Sequence, residues 1–256
     1  MTFAAPTPRT LYVHDDLSDV VTACGEASPA APLGRALLSR LRGEPSRIVI
    51  RTAAQEIDAL IARGGHVPFA VTVGIGGAGA RAATQIHERT GWFSALRRVD
   101  LWREETGDGD YVLAGATALS ERLRDLADVG SLAIVDDTIF SGLTVRAVLE
   151  ALPASVRART RVFSLRAVAE TVANLGALAP VTVGVALPGR LLSDVSVIKA
   201  SGLVRRGAIR RAGRPPLAFF ERPEWMAAWF PDDHAEVTSL CRDLCAALDA
   251  EKLADA

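Results

Sequence analysis

Ser131 to Val145 reads SLAIVDDTIFSGLTV. Four apolar residues, Leu132 to Val135, run into the carboxylates of Asp136 and Asp137. Gly142 and Thr144 follow, at the start of a helix-like pattern. The apolar run over 131–135 predicts a strand buried in a sheet. Residues 144–152 predict a helix. The acidic pair then emerges at a strand's carboxyl end, where open α/β sheets bind ligands. Paired carboxylates accept hydrogen bonds from a vicinal diol, or help hold a hard cation such as Mg2+. The turn over 138–144 leads into a helix amino terminus. Its free amides, with the hydroxyls of Ser141 and Thr144, suit a phosphate. Gly142 allows a tight turn. A diol site beside a monophosphate site fits a ribose 5-phosphate.

About 60 residues earlier stands Val71 to Ala83, VTVGIGGAGARAA. Gly74, Gly76 and Gly79 match the G-x-G-x-x-G spacing of dinucleotide loops. A nicotinamide- or flavin-dependent oxidoreductase is therefore one alternative. That reading needs an acidic residue at the end of the next strand. Asp100 stands 21 positions after Gly79, but RRVDLW places it within a strand. It also leaves the second motif without a role.

Outward from these motifs the chain alternates. Strands are expected over 47–51, 68–73, 96–102, 161–167 and 181–186, and helices over 33–41, 53–63, 81–90, 118–127 and 170–178. This pattern predicts an α/β fold with a mainly parallel central sheet flanked by helices. The polar stretch 103–110, REETGDGD, is expected to be a loop. Residues 1–32 read as an arm or cap, so the division expected is a cap over 1–52, a core over 53–190 and a cap over 191–256. Val237, Leu240, Cys241, Leu244, Cys245 and Leu248 form one apolar helical stripe, suited to the core or a subunit interface. A homodimer is the expected assembly.

The chain has 256 residues, about half apolar, and a formal net charge of −1. That balance gives no general pull towards nucleic acid or a membrane surface. No apolar run reaches the roughly 20 residues that span a bilayer. With no signal-peptide pattern and three cysteines, a cytoplasmic location is expected. Arginine outnumbers lysine 27 to 2. Five of the arginines fall in 205–214, RRGAIRRAGR.

Residues 132–144, LAIVDDTIFSGLT, resemble the signature of the type I phosphoribosyltransferases. The resemblance covers about residues 53–190 and implies their fold, with terminal caps. It implies that Asp136 and Asp137 bind the ribose hydroxyls of phosphoribosyl pyrophosphate (PRPP), and that Thr138, Ile139, Phe140, Ser141, Gly142, Leu143 and Thr144 wrap its 5-phosphate. By position, Gly74, Ile75, Gly76, Gly77, Ala78 and Gly79, with Arg81, would take the pyrophosphate, and Mg2+ would be held mostly through PRPP beside Asp136 and Asp137. The implied reaction is transfer of the phosphoribosyl group to a small-molecule acceptor. The resemblance also implies a mobile loop near 103–110, in which Arg103 would serve, and a lysine contact to the acceptor at Lys199. Phe140 departs from the acid or threonine of many purine enzymes. The glycine segment also lacks a cation before Arg81. Some members of the family sense PRPP and bind nucleic acid, and Arg205 to Arg214 would suit that role. No helix-turn-helix pattern accompanies the cluster, so nucleic acid is not the expected partner.

Overall fold

The computed structural model describes residues 10–107, 110–188 and 196–254. The chain forms two compact units, one from Ala54–Asp194 and one from Met1–Ala53 with Val195–Ala256.

In chain order the first unit begins with β1 (Leu11–Asp15), α1 (Leu17–Cys24), α2 (Ala30–Arg42) and β2 (Ile48–Thr52). The second holds α3 (Ala53–Ile61), β3 (Val71–Ile75), α4 (Gly76–Thr90), β4 (Leu96–Val99), β5 (Trp102–Glu105) and β6 (Tyr111–Ala114). It continues with α5 (Leu119–Arg122), β7 (Leu132–Ile139), α6 (Leu143–Ala151), α7 (Ala154–Arg157), β8 (Thr160–Val168), α8 (Ala169–Gly176) and β9 (Val181–Leu187). The chain returns to the first unit with β10 (Val197–Lys199), α9 (Ala200–Val204), β11 (Ile209–Arg211), β12 (Arg214–Leu217), α10 (Pro223–Trp229) and α11 (His234–Ala254).

The Ala54–Asp194 unit is an α/β fold around a five-stranded sheet of order β4-β3-β7-β8-β9. Every pairing in it is parallel. Both faces are covered. Leu132 and Ile134 join one core cluster with Val145, Val148 and Leu149 of α6. Ala133 and Val135 join another with Ile57 and Leu60 of α3 and Ala82, Ala83 and Ile86 of α4. Successive residues of a strand face opposite sides, so a run buried on both faces reads as continuously apolar. The order also reverses direction between β3 and β7, which makes their carboxyl ends the topological switch point of the sheet.

Several boundaries differ from those expected. β7 extends to Ile139 because β8 goes on pairing with it through Ile139↔Ala167. Its pairing to β3 ends at Gly74↔Val135. The acidic pair therefore lies within the strand, beyond its last pairing with β3. α4 begins at Gly76, ahead of the expected start at Arg81. Residues 96–102 are two strands, not one. The first three residues of 103–110 are strand, not loop: β5 pairs antiparallel with β6, Arg103 opposite Leu113, and the rest lies between the two strands. There the Thr106 amide donates to the Asp110 carbonyl at 2.8 Å. Residues 108 and 109 lie outside the described residues.

In the other unit β1 is the central strand of a parallel sheet of order β10-β1-β2. The expected N-terminal arm thus contains a strand and α1, with Leu11, Val13, Leu17 and Val21 buried in the core of this unit. The strand is five residues long and the helix eight, too short for either period to stand out in the sequence. Val237, Cys241, Leu244, Cys245 and Leu248 of α11 pack into the same core. The arginine-rich stretch forms the β11–β12 hairpin. There Arg206 pairs with Glu221 and Asp249, and Arg211 donates to the Pro215 carbonyl.

Candidate functional site

The glycine segment is a strand-to-helix junction, not a loop. Gly74 and Ile75 end β3, and Gly76, Gly77, Ala78 and Gly79 form the first turn of α4. Gly76 has φ +60°, a conformation that L side chains adopt only with strain. The other two glycines of the motif answer to space. A Cβ on Gly74 would stand 2.6 Å from Ala80 Cα, and one on Gly79 would stand 2.5 Å from the Val135 carbonyl oxygen. α4 therefore lies against β7 just before the acidic pair, with its free first-turn amides at the switch point. Arg81 lines a shallow groove of about 490 Å3 along α4, with Gly77, Thr84, Gln85 and Arg98. Among the described residues no part of β7 lines it.

Asp136 and Asp137 turn to different partners. Asp136 is buried, and Thr144 Oγ1 donates to its Oδ2 at 3.4 Å. Asp137 Oδ2 accepts from Thr138 Oγ1 at 3.0 Å and from Arg166 Nη2 at 3.1 Å. Arg166 Nη1 in turn donates to Glu56 Oε2 at 2.5 Å. Glu56 and Arg166 are each only 2 % exposed. Neither was singled out from the sequence. The available signal was a charge on an apolar stripe: Glu56 beside Ile57 and Leu60, Arg166 within VFSLRAV. Such residues are almost never fully buried without a partner.

The segment expected to wrap a phosphate is shorter than its motif. Thr138 and Ile139 are strand, so only Phe140, Ser141 and Gly142 make the turn, and Leu143 and Thr144 open α6. Gly142 has φ +72°, and a Cβ there would stand 3.0 Å from Thr171 Cγ2. Thr171 Oγ1 also holds the turn, donating to the Phe140 carbonyl at 2.5 Å. The turn sets Ser141 Oγ at the amino terminus of α6, where it accepts from the Leu143 amide at 3.5 Å.

Arg103 joins this turn from β5. Its Nη1 lies 3.4 Å from Ser141 Oγ. Its guanidinium sits 5.2 Å from the centroid of Phe140 and 5.4 Å from that of Tyr111. Both distances are within cation–π range. Burial pushes its pKa down, against the opposing pull of Tyr111 and Asp136. An arginine stays charged regardless. The α6 terminus thus carries hydroxyls, amides and a fixed cation together.

No protein-family model and no curated protein matches the sequence. Among solved structures, a purine phosphoribosyltransferase from Pyrococcus horikoshii is similar over 44% of this chain and 71% of its own, at 20% identity and a TM-score of 0.32. A protein from Thermus thermophilus, TT1426, is similar over 57% of this chain and 86% of its own, at 18% identity and a TM-score of 0.34.

Lys199 belongs to the other unit, in β10 opposite His14 of β1. Asp100 corrects the sequence reading: β4 ends at Val99, so Asp100 stands at a strand's carboxyl end, where its Oδ1 accepts from Arg98 Nε at 2.7 Å. Among the described residues no three His, Cys, Asp or Glu side chains are grouped to hold a metal ion, and no helix is long and apolar enough to cross a membrane.

Proposed function

We propose that the Ala54–Asp194 unit binds PRPP and transfers its 5-phosphoribosyl group to a nucleophilic acceptor, with release of pyrophosphate. The observation that carries this reading is the row Asp136–Thr144–Ser141–Arg103. It puts a buried carboxylate beside a helix amino terminus that bears two hydroxyls and a cation. A ribose ring with hydroxyls on one side and a phosphate on the other matches that polarity.

In this reading the α6 terminus and Arg103 hold the 5-phosphate. Asp136 and Asp137 accept from the ribose hydroxyls. The first turn of α4 receives the diphosphate across the switch point, while Arg81 faces the groove along α4 that β7 does not line. As the bond from the anomeric carbon to the diphosphate breaks, positive charge develops on that carbon and the ring oxygen. Fixed carboxylates nearby favour that charge electrostatically. Mg2+ suits this donor set only as an ion carried mainly by diphosphate oxygens, because the two carboxylates turn to different partners. When bound, it neutralises charge on the leaving group.

The test is calorimetric titration with PRPP and Mg2+, then assay of pyrophosphate release across a panel of acceptors. Wild-type protein is expected to bind, and the Asp136→Asn/Asp137→Asn variant to lose affinity. Equal affinity in the two proteins would place the site elsewhere.

A second reading, a dinucleotide site, is favoured by one observation: Asp100 at the carboxyl end of β4, beside the glycine junction. In such folds an acidic residue there bonds the ribose, and a nearby arginine accommodates a 2′-phosphate. Binding of a nicotinamide dinucleotide without binding of PRPP would select this reading.

A further inference from the structure

We infer that Glu56 and Arg166 are positioning residues that fix the carboxylate of Asp137 for the ribose, so that the two adjacent acids act unequally. The inference rests on the PRPP reading and deepens it. Arg166 Nη1 is 2.5 Å from Glu56 Oε2, and its Nη2 is 3.1 Å from Asp137 Oδ2. The guanidinium is planar, so two carboxylates engaged at different nitrogens fix its plane and, through it, the orientation of Asp137. Thr138 Oγ1 supplies a second donor to the same oxygen. Asp136 faces Thr144 of α6 instead.

The clamp is a poor device for stability alone. Glu56 and Arg166 are buried and Asp137 is half-buried, and the Arg166 Nε is itself buried with no hydrogen-bond partner among the described residues. Buried ion pairs are often no better for stability than apolar residues of similar volume. One guanidinium between two carboxylates also leaves the group with a net negative charge at the strand end. That charge suits hydroxyl donors and a developing positive centre. Removing Glu56 leaves Arg166 to neutralise Asp137 alone; removing Arg166 frees Asp137 to rotate.

The experiment uses the full chain with Glu56→Gln, Arg166→Lys and the paired Glu56→Met/Arg166→Met variant, which removes both fully buried charges together and leaves Asp137, at the partly exposed strand end, with the Thr138 hydroxyl. Calorimetry in Mg2+ measures PRPP, ribose 5-phosphate and inorganic pyrophosphate separately, with thermal unfolding alongside. The clamp predicts a loss of about tenfold in affinity for PRPP and ribose 5-phosphate in the paired variant, with pyrophosphate affinity within about twofold of wild type. Glu56→Gln, nearly isosteric, and Arg166→Lys, which keeps the charge but not the planar fork, are expected to lose less in the same ribose-selective pattern. Folded variants that bind all three ligands like wild type, or variants that weaken all three together, would overturn the inference and leave the PRPP reading standing. Wild-type protein that binds neither PRPP nor ribose 5-phosphate would overturn both.

Discussion

Gly79 of α4 lies so close to β7 that a Cβ on it would meet the Val135 carbonyl oxygen at 2.5 Å and Asp136 Cα at 3.2 Å. The helix that supplies the junction's amides and the strand that supplies the acids are therefore in backbone contact. Gly79→Ala must push them apart. Overpacking of this kind typically costs about 1–3 kcal/mol, so urea unfolding should show a loss of that order. Gly130→Ala, where a Cβ meets nothing within 4 Å, should stay within about 0.5 kcal/mol of wild type. Equal effects of the two changes would contradict the packing described.

Arg103 is held between Phe140 and Tyr111 with its Nη1 at Ser141 Oγ. A hydrogen bond from a charged donor to a ligand phosphate is worth about 1.5–3 kcal/mol. Arg103→Met should therefore weaken PRPP binding by about tenfold or more. Arg103→Lys keeps the charge but not the planar stack, and should recover only part of the loss. Titration of both variants against inorganic pyrophosphate separates a phosphate-turn role from a general one, since that ligand should bind as before.

His66 gives the fold a pH dependence with a defined sign. Its ring stands edge-on to Trp92 and Phe163, at centroid distances of 5.0 and 4.9 Å. Burial, and then the charge of Arg161, hold its pKa below the ordinary 6.5. The unfolded chain thus takes up this proton first as pH falls. Stability from this group is complete above about 6.5 and declines below it, until the folded state also protonates. Thermal unfolding should reveal a smaller midpoint drop from about pH 7.5 to about pH 5.5 in His66→Leu than in wild type. An unchanged drop would remove His66 as its source.

Cys241 is fully buried, and burial, with a further contribution from Cys245, pushes its thiol up to about 12. The unfolded thiol ionises first as pH rises. Its contribution to stability is therefore full below the ordinary 9.0 and falls as pH climbs towards 12. Because the thiolate is the reactive form, an alkylating reagent at about pH 8 should label the half-buried Cys24 before Cys241. Mass spectrometry of briefly treated native protein reads the order directly.

The alternation of strands and helices was legible because each element carries its own period. The run Leu132 to Val135 is apolar in sequence because both faces of β7 are covered, and Gly142 marks the turn into α6 by its left-handed conformation. The ends of elements were less legible. β7 reaches Ile139 only because β8 offers partners that far, and no local pattern announces a distant strand's length. Gly76 to Gly79 read as a loop because glycine disfavours helices. They open α4 instead, and glycine stands at position 79 because β7 leaves no room for a side chain there. Asp100 moved to a strand end by the same dependence on pairing.

By itself the sequence determined which chemistry was available: two adjacent carboxylates, a turn with hydroxyls before a helix, and a glycine run after an earlier strand. Only the tertiary structure decided how those groups are used. Glu56 and Arg166 are 110 positions apart, and Arg103 and Ser141 are 38 apart. Local periodicity carries no information about such pairs, whose meeting depends on sheet order and register. The order β4-β3-β7-β8-β9 brings the carboxyl ends of β3 and β7 side by side. That arrangement sends Asp136 to Thr144 and Asp137 to Arg166, and so makes two identical neighbours in the sequence unequal in the fold.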